Sequence, residues 1–182
     1  LHRVPISVDS IDDEVYRQMN GREFSIERVL SGIAAAQSAG LTPIKANVVV
    51  QKGINDSNLA ETAAHFRGSG IVVRFIEFMD VGNSNGWESA QVVPTVEVVR
   101  RIHSTTPIEP VSPNCTGEVA ERYRYSDGSG EIGFISSVSQ PFCGDCNRAR
   151  LSSDGKLFPC LFAPEGTDLR GPMRSGASDD DL

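Results

Sequence analysis

Neither an apolar run of transmembrane length nor a secretory signal pattern occurs in this sequence. A helical membrane span is therefore not expected, and a cytoplasmic location is. Cysteine is scarce: four in 182 residues, irregularly spaced. That excludes the dense disulfide framework of a small secreted domain. Basic charge is also short, with 17 Lys and Arg against 24 Asp and Glu and a formal net charge of −7. A protein that coats nucleic acid would carry the opposite balance. Hydrophobic residues make up 39% of the chain, enough for a real core in one domain or in a domain with an appendage.

The first hundred residues alternate between two hydrophobic periods. Val4 to Ser10 alternates apolar and polar residues and reads as a strand. A short helix follows over Asp12 to Met19. Ser25 can cap a longer one, in which Ile26, Val29, Leu30, Ile33 and Ala34 recur at helical spacing and Gly40 marks the end. Pro43 to Val50 is a second strand, Leu59 to Arg67 a helix and Ile71 to Met79 a third strand. Strand, helix, strand, helix, strand is the pattern of a parallel sheet with right-handed crossovers.

Parallel strands covered on both faces should be nearly all apolar. These are interrupted by Ser7 and Asp9, by Lys45 and Asn47, and by Arg74 and Glu77. Lys45 and Asn47 are two apart and share a face. Either the charges pair internally, Arg74 with Glu77 or Asp9, or they line a polar cavity of a partial TIM-type barrel, whose sites lie at the C-terminal strand ends. The loop Asp80 to Trp87 (DVGNSNGW) follows the third strand, where α/β proteins keep ligand loops. Trp87 reads as a packing anchor. Thr95 to His103 is a helix with Arg100 and Arg101 on a solvated face, and Thr105 to Gly117 a proline-punctuated linker containing Cys115.

The pattern then changes. Ala120 to Tyr125 and Glu131 to Ile135 flank an Asp127-Gly128-Ser129-Gly130 turn and predict a β-hairpin. Residues 1–104 are thus expected to form a partial barrel, and residues 105–182 a small antiparallel β and loop extension. Ala163 to Gly166 reads as a turn, with a short helix over Thr167 to Arg174. At the C-terminus Ser178 and the aspartates after it read as a helix start, and a sequence opening on Leu1 reads as a fragment of a longer chain.

Chemistry concentrates between Ser139 and Phe162 (SQPFCGDCNRARLSSDGKLFPCLF). Cys143 and Cys146 form a Cys-x2-Cys turn, and an Asp154-Gly155 turn can fold Cys160 back towards them. Thiolates favour zinc or iron–sulfur clusters. Structural zinc takes four protein ligands, which here would require Cys115 or His103 as the fourth. A cluster held by three cysteines leaves one iron open to a non-protein ligand. Arg148, Arg150 and Lys156 outnumber Asp145 and Asp154 in this stretch, a local cationic patch suited to a small anion. The alternative is a zinc-stapled binding module without catalysis.

PISVDSID, IKANVVV, VRFIEFMDVGNSNGW, GEIGFISSVSQPFCGDCNRARL and LFPCLF together resemble the MoaA family of molybdenum cofactor biosynthesis, radical S-adenosylmethionine GTP 3',8-cyclases. The resemblance runs over essentially the whole sequence. It implies an incomplete (βα)6 barrel whose C-terminal half is present here, followed by the extension with its cysteine metal site. It implies conversion of GTP to (8S)-3',8-cyclo-7,8-dihydroguanosine 5'-triphosphate, the first step of molybdenum cofactor (molybdopterin) biosynthesis, with the enzyme MoaC receiving the product. Carried over by motif, Cys143, Cys146 and Cys160 match the ligands of an auxiliary 4Fe-4S cluster. Lys45, Arg74, Arg148, Ala149 and Arg150 match GTP contacts, and Ser7, Met79 and Asn47 match S-adenosylmethionine contacts. The family's CxxxCxxC motif, which holds a second 4Fe-4S cluster, and its C-terminal Gly-Gly are absent from this sequence. The expectation is a fragment starting near the fourth barrel strand and unable to cleave S-adenosylmethionine alone. Its exposed sheet edge invites self-association, for instance as a homodimer.

Overall fold

The computed structural model describes residues 4–81 and 86–181, so residues 82–85 of the expected ligand loop lie outside the described residues. The first part runs β1 (Val4–Ser7), α1 (Asp13–Asn20), α2 (Ile26–Ser38), β2 (Ile44–Val50), α3 (Leu59–Phe66), β3 (Val72–Glu77) and α4 (Thr95–Thr105). β4 (Ile108–Val111), β5 (Glu121–Tyr125) and β6 (Glu131–Ile135) follow. The cysteine segment carries β7 (Arg150–Leu151), β8 (Lys156–Phe158), β9 (Thr167–Asp168) and α5 (Arg170–Arg174).

Local chemistry starts α1 and α2 where the sequence predicts. The Asp12 carboxylate accepts from the Val15 N–H at 3.0 Å and opens α1. The Ser25 hydroxyl accepts from the Glu27 N–H at 3.2 Å and opens α2. Gly21 closes α1 at φ 64°, a left-handed position that suits glycine.

Six strands form one sheet in the order β1-β2-β3-β6-β5-β4. β1, β2, β3 and β6 are parallel, and β5 and β4 add on antiparallel. The fold is therefore mixed α/β around a parallel sheet. Burial alternates along the strands. Ile44, Ala46, Val48 and Val50 of β2, Val73 and Phe75 of β3, and Ile132 and Phe134 of β6 join Ile26, Ile33, Leu59, Phe66, Val98 and Ile102 of the helices in one core. The alternate residues, including Lys45, Asn47, Val72 and Arg74, lie half-buried on the other face. Helices thus cover one side of the sheet, and the polar interruptions fall on the side they leave uncovered.

Three sequence expectations change. The linker over 105–117 contains β4, with Pro110 inside it. β4 is an edge strand, where a missing N–H costs no ladder bond. The hairpin at 121–135 is not separate from the first sheet, because β6 also pairs with β3 through Arg74↔Gly133 and Phe75↔Phe134. The helix over Thr167 to Arg174 is split, since Thr167 and Asp168 pair with β8 and only Arg170–Arg174 is helical.

Candidate functional site

Register organises the uncovered face. Ser7 pairs with Asn47, Asn47 with Arg74, Arg74 with Gly133 and Gly133 with Arg122, making one lateral row across five strands. Lys45 stands two residues before Asn47 and shares its face. Lys45 and Arg74 both line a cleft of about 440 Å³ with Cys115, Glu118, Arg122, Glu131 and Gly133. Lys45 and Arg74 follow the polar-cavity reading in part: their cleft, which Pro43 and Val72 also line, lies towards the starts of β2 and β3 rather than at the C-terminal strand ends. Arg74 is not ion-paired to Glu77 or Asp9. Its Nε–H donates to the Asn47 Oδ1 at 3.0 Å. Burial lowers the Arg74 pKa, and the Glu118 carboxylate opposes that shift. Asp9 accepts from the Val49 N–H at 2.9 Å, and burial nevertheless raises its pKa.

Glu77 corrects the sequence reading most clearly. It stands three residues from Arg74 in an extended strand, so it faces the helices, and it is 2% exposed. It accepts from the backbone N–H groups of Thr95 (2.7 Å), Val138 (2.8 Å) and Ser139 (2.7 Å) and from the Ser139 hydroxyl (2.5 Å). Burial pushes its pKa up, but these donors outweigh burial and leave it below the usual carboxylate range. One carboxylate therefore ties the end of β3 to the start of α4 and to the segment leading into the cysteines. A glutamate in an apolar strand was the visible signal. Its face was misread because Arg74 suggested a partner.

Beyond Ser139 the chain turns through one 3-10 turn at Cys143–Asp145. Cys143, Cys146 and Cys160 are exposed free thiols. Among the described residues no three His, Cys, Asp or Glu side chains are grouped to hold a metal ion. The three cysteines are near one another in sequence without being drawn into a ligand cage. Cys115 and His103 do not complete one either. Cys115 lines the cleft with Lys45 and Arg74, and His103 Nδ1 lies 3.1 Å from the Ile108 carbonyl oxygen.

The chemistry of the donor set nonetheless suits a thiolate-held group. Arg148 directs Nε and Nη2 at the Cys146 sulfur, each at 3.3 Å. The Arg148 backbone N–H and guanidinium lower the Cys146 pKa. The Phe162 N–H donates to the Cys160 sulfur at 3.4 Å. The Arg150 Nη1 is buried without a hydrogen-bond partner among the described residues. Among those residues none beyond Ser136 is buried, so this segment has no core of its own. Small units without a core ordinarily depend on a metal, a disulfide or a partner surface.

A second cleft adjoins the first. Arg148 lies over the Phe142 ring, 4.9 Å from its centroid. Phe142 lines the second cleft, of about 350 Å³, with Glu118, Ala120 and Arg122, which also line the first. Ala149 is exposed beside Arg148. Ser7 is exposed at the edge strand, and Met79 is half-buried just past β3. The Trp87 indole N–H donates to the Phe78 carbonyl at 2.9 Å, which supports the packing-anchor reading. Arg101, read as solvated, ion-pairs with Asp56 and Glu97.

Residues 71–182 match the family model "Molybdenum Cofactor Synthesis C". The chain belongs to that family. Residues 1–66 match the model of the Radical SAM superfamily. Among curated relatives, the GTP 3',8-cyclase of Acidothermus cellulolyticus is 51% identical over 175 residues, 96% of this chain and 48% of its own length. Those of Xanthomonas campestris pv. campestris strain B100 and Staphylococcus epidermidis strain RP62A are 49% and 46% identical over 97% and 100% of this chain, and over 52% and 54% of their own lengths. This chain of the molybdenum cofactor synthesis family therefore spans about half the length of the curated relatives it matches. No described helix is long and apolar enough to cross a membrane.

Proposed function

We propose that this chain is the GTP-binding part of a radical S-adenosylmethionine enzyme that converts GTP to 3',8-cyclo-7,8-dihydroguanosine 5'-triphosphate, the first step of molybdenum cofactor biosynthesis. The observation that carries the reading is the convergence of Lys45 and Arg74 in one cleft on the helix-free face of a parallel sheet. The relatives' shared name, GTP 3',8-cyclase, agrees with it. In this reading the six-stranded sheet supplies part of a TIM-type barrel, and the cysteine segment beyond it the extension that receives the guanine.

Lys45 and Arg74 neutralise the triphosphate, with Arg148 and Arg150 approaching from the cysteine segment and Ala149 between them. Ser7 at the end of β1, Asn47 within β2 and Met79 just past β3 face S-adenosylmethionine. Cys143, Cys146 and Cys160 would hold an auxiliary 4Fe-4S cluster. When bound, that cluster would supply an iron site for the guanine, and the radical would come from S-adenosylmethionine and a second 4Fe-4S cluster, for which this sequence carries no CxxxCxxC motif. The chain's own task is to hold the nucleotide by charge and exclude water around the ribose. The product then passes to MoaC.

The test is GTP binding to the reconstituted protein by calorimetry. Arg148→Ala and Arg150→Ala are each expected to weaken it about 10-fold to 100-fold, the range of a hydrogen bond to a charged group. Unchanged affinity in both would reject the reading.

A further inference from the structure

Gly133 sits inside β6, buried, at a position whose backbone does not require glycine, since its φ lies outside the left-handed region. Glycine within a strand weakens it and often marks a close approach by another group. Here the approaching group is identified. A Cβ on Gly133 would meet the Arg74 Cγ at 3.2 Å, Cδ at 3.7 Å and the Ala120 Cβ at 3.6 Å. The stem of Arg74 therefore lies across β6 in space that a side chain would take. On its other side, Asn47 of β2 is in direct register with Arg74 and accepts its Nε–H at 3.0 Å. Arg74 is held between a neighbour that leaves room and a neighbour that hydrogen-bonds. Both terminal nitrogens remain without a hydrogen-bond partner among the described residues, inside the cleft that Lys45 also lines.

We infer that Gly133 and Asn47 are positioning residues that fix the Arg74 guanidinium for bidentate recognition of a phosphate group. The inference rests on the nucleotide reading above. Planar guanidinium recognition depends on orientation, because two parallel N–H bonds must meet two oxygens at once. Fixing Nε on Asn47 presents the other edge of the fork to the ligand. In this scheme Asn47 contributes to nucleotide binding through Arg74, whatever its amide nitrogen contacts.

The experiment uses the full-length protein, with GTP and guanosine as probes, in wild type, Arg74→Ala, Gly133→Val, Asn47→Ala and the double variant Arg74→Ala/Gly133→Val. Arg74→Ala is expected to weaken GTP about 10-fold to 100-fold and leave guanosine unchanged. Gly133→Val and Asn47→Ala are each expected to weaken GTP about tenfold with guanosine unchanged, and Gly133→Val to add nothing once Arg74 is gone. A general packing defect would weaken both ligands and persist in the double variant, which would overturn the inference. The Arg74 Nε–H resonance in NMR gives a readout independent of nucleotide. Its hydrogen exchange is expected to speed up in Asn47→Ala and its shift to move in Gly133→Val, and an unmoved signal in both overturns the positioning role. If Arg74→Ala leaves GTP binding intact, the nucleotide reading fails, and the resonance still decides whether Gly133 and Asn47 position Arg74.

Discussion

The sheet and the cysteine segment are built on opposite principles. Within the sheet, Phe75 and Phe134 are 2% and 0% exposed and their rings stack with centroids 6.0 Å apart. Tyr123 meets Phe134 edge-on. In the cysteine segment no described side chain is buried, and Leu151 and Phe162 are 68% and 58% exposed while Leu157 and Phe158 are only half-buried. Its strands are two or three residues long. Apolar burial therefore holds the first region, and turns, short ladders and the Glu77 tether hold the second. The lesson is that the two should respond differently to the same kind of damage. The sheet should fail when its core is cut, and the cysteine segment when its cysteines are replaced.

Truncation in the core breaks the sheet most. Phe134→Ala is expected to cost about 3–5 kcal/mol in chemical denaturation. A loss below about 1 kcal/mol would mean that the sheet is not held by this core. Glu77→Gln comes next, because the amide keeps the shape but loses the charge that receives four donors. A loss of about 2–3 kcal/mol is expected, together with faster hydrogen exchange at Val138 and Ser139. Exchange unchanged at those amides would contradict the tether. Phe162→Ala, the same type of truncation as Phe134→Ala in the exposed segment, is expected to change stability by less than about 0.5 kcal/mol. A core-sized loss there would erase the contrast between the regions.

The smallest effect is a pH dependence at the junction of α3 with the β5–β6 turn. Arg67 bonds Ser129 and pairs with Asp127, whose carboxyl the Ser129 hydroxyl and the Arg67 side chain pull down to about 2 from 3.8. A depressed acid contributes stability that is fully present above its unfolded pKa and is lost as pH falls through the folded value. Stability is thus expected to decline between pH 4 and pH 2 more steeply in wild type than in Asp127→Asn. Equal slopes would remove Asp127 from the account.

Much of the helical part was legible because period and caps are local. Ser25, the Ile26–Ile33 face and the alternation in β2 each follow from nearby residues. What was not legible depended on neighbours distant in sequence. Pro110 read as a linker residue until β4 took an edge position. The hairpin was visible at 120–135, but its parallel pairing with β3 was not, since periodicity gives a strand's face and not its partner. At the site, Lys45 and Arg74 were readable as polar interruptions on a strand face. Glu77 was given the wrong face and Gly133 no role, because which face a polar residue serves, and what leans over a glycine, are settled only in register. The cysteine ligand set came from spacing and resemblance, and the exposed thiols leave it resting on chemistry.

The most direct test of the central claim is iron and sulfide content after anaerobic reconstitution, measured in wild type and in Cys160→Ala. The account predicts iron and sulfide in equal amounts in wild type, lost in the variant, with the sheet's denaturation midpoint unchanged. Zinc without sulfide, or iron and sulfide retained without Cys160, would contradict it.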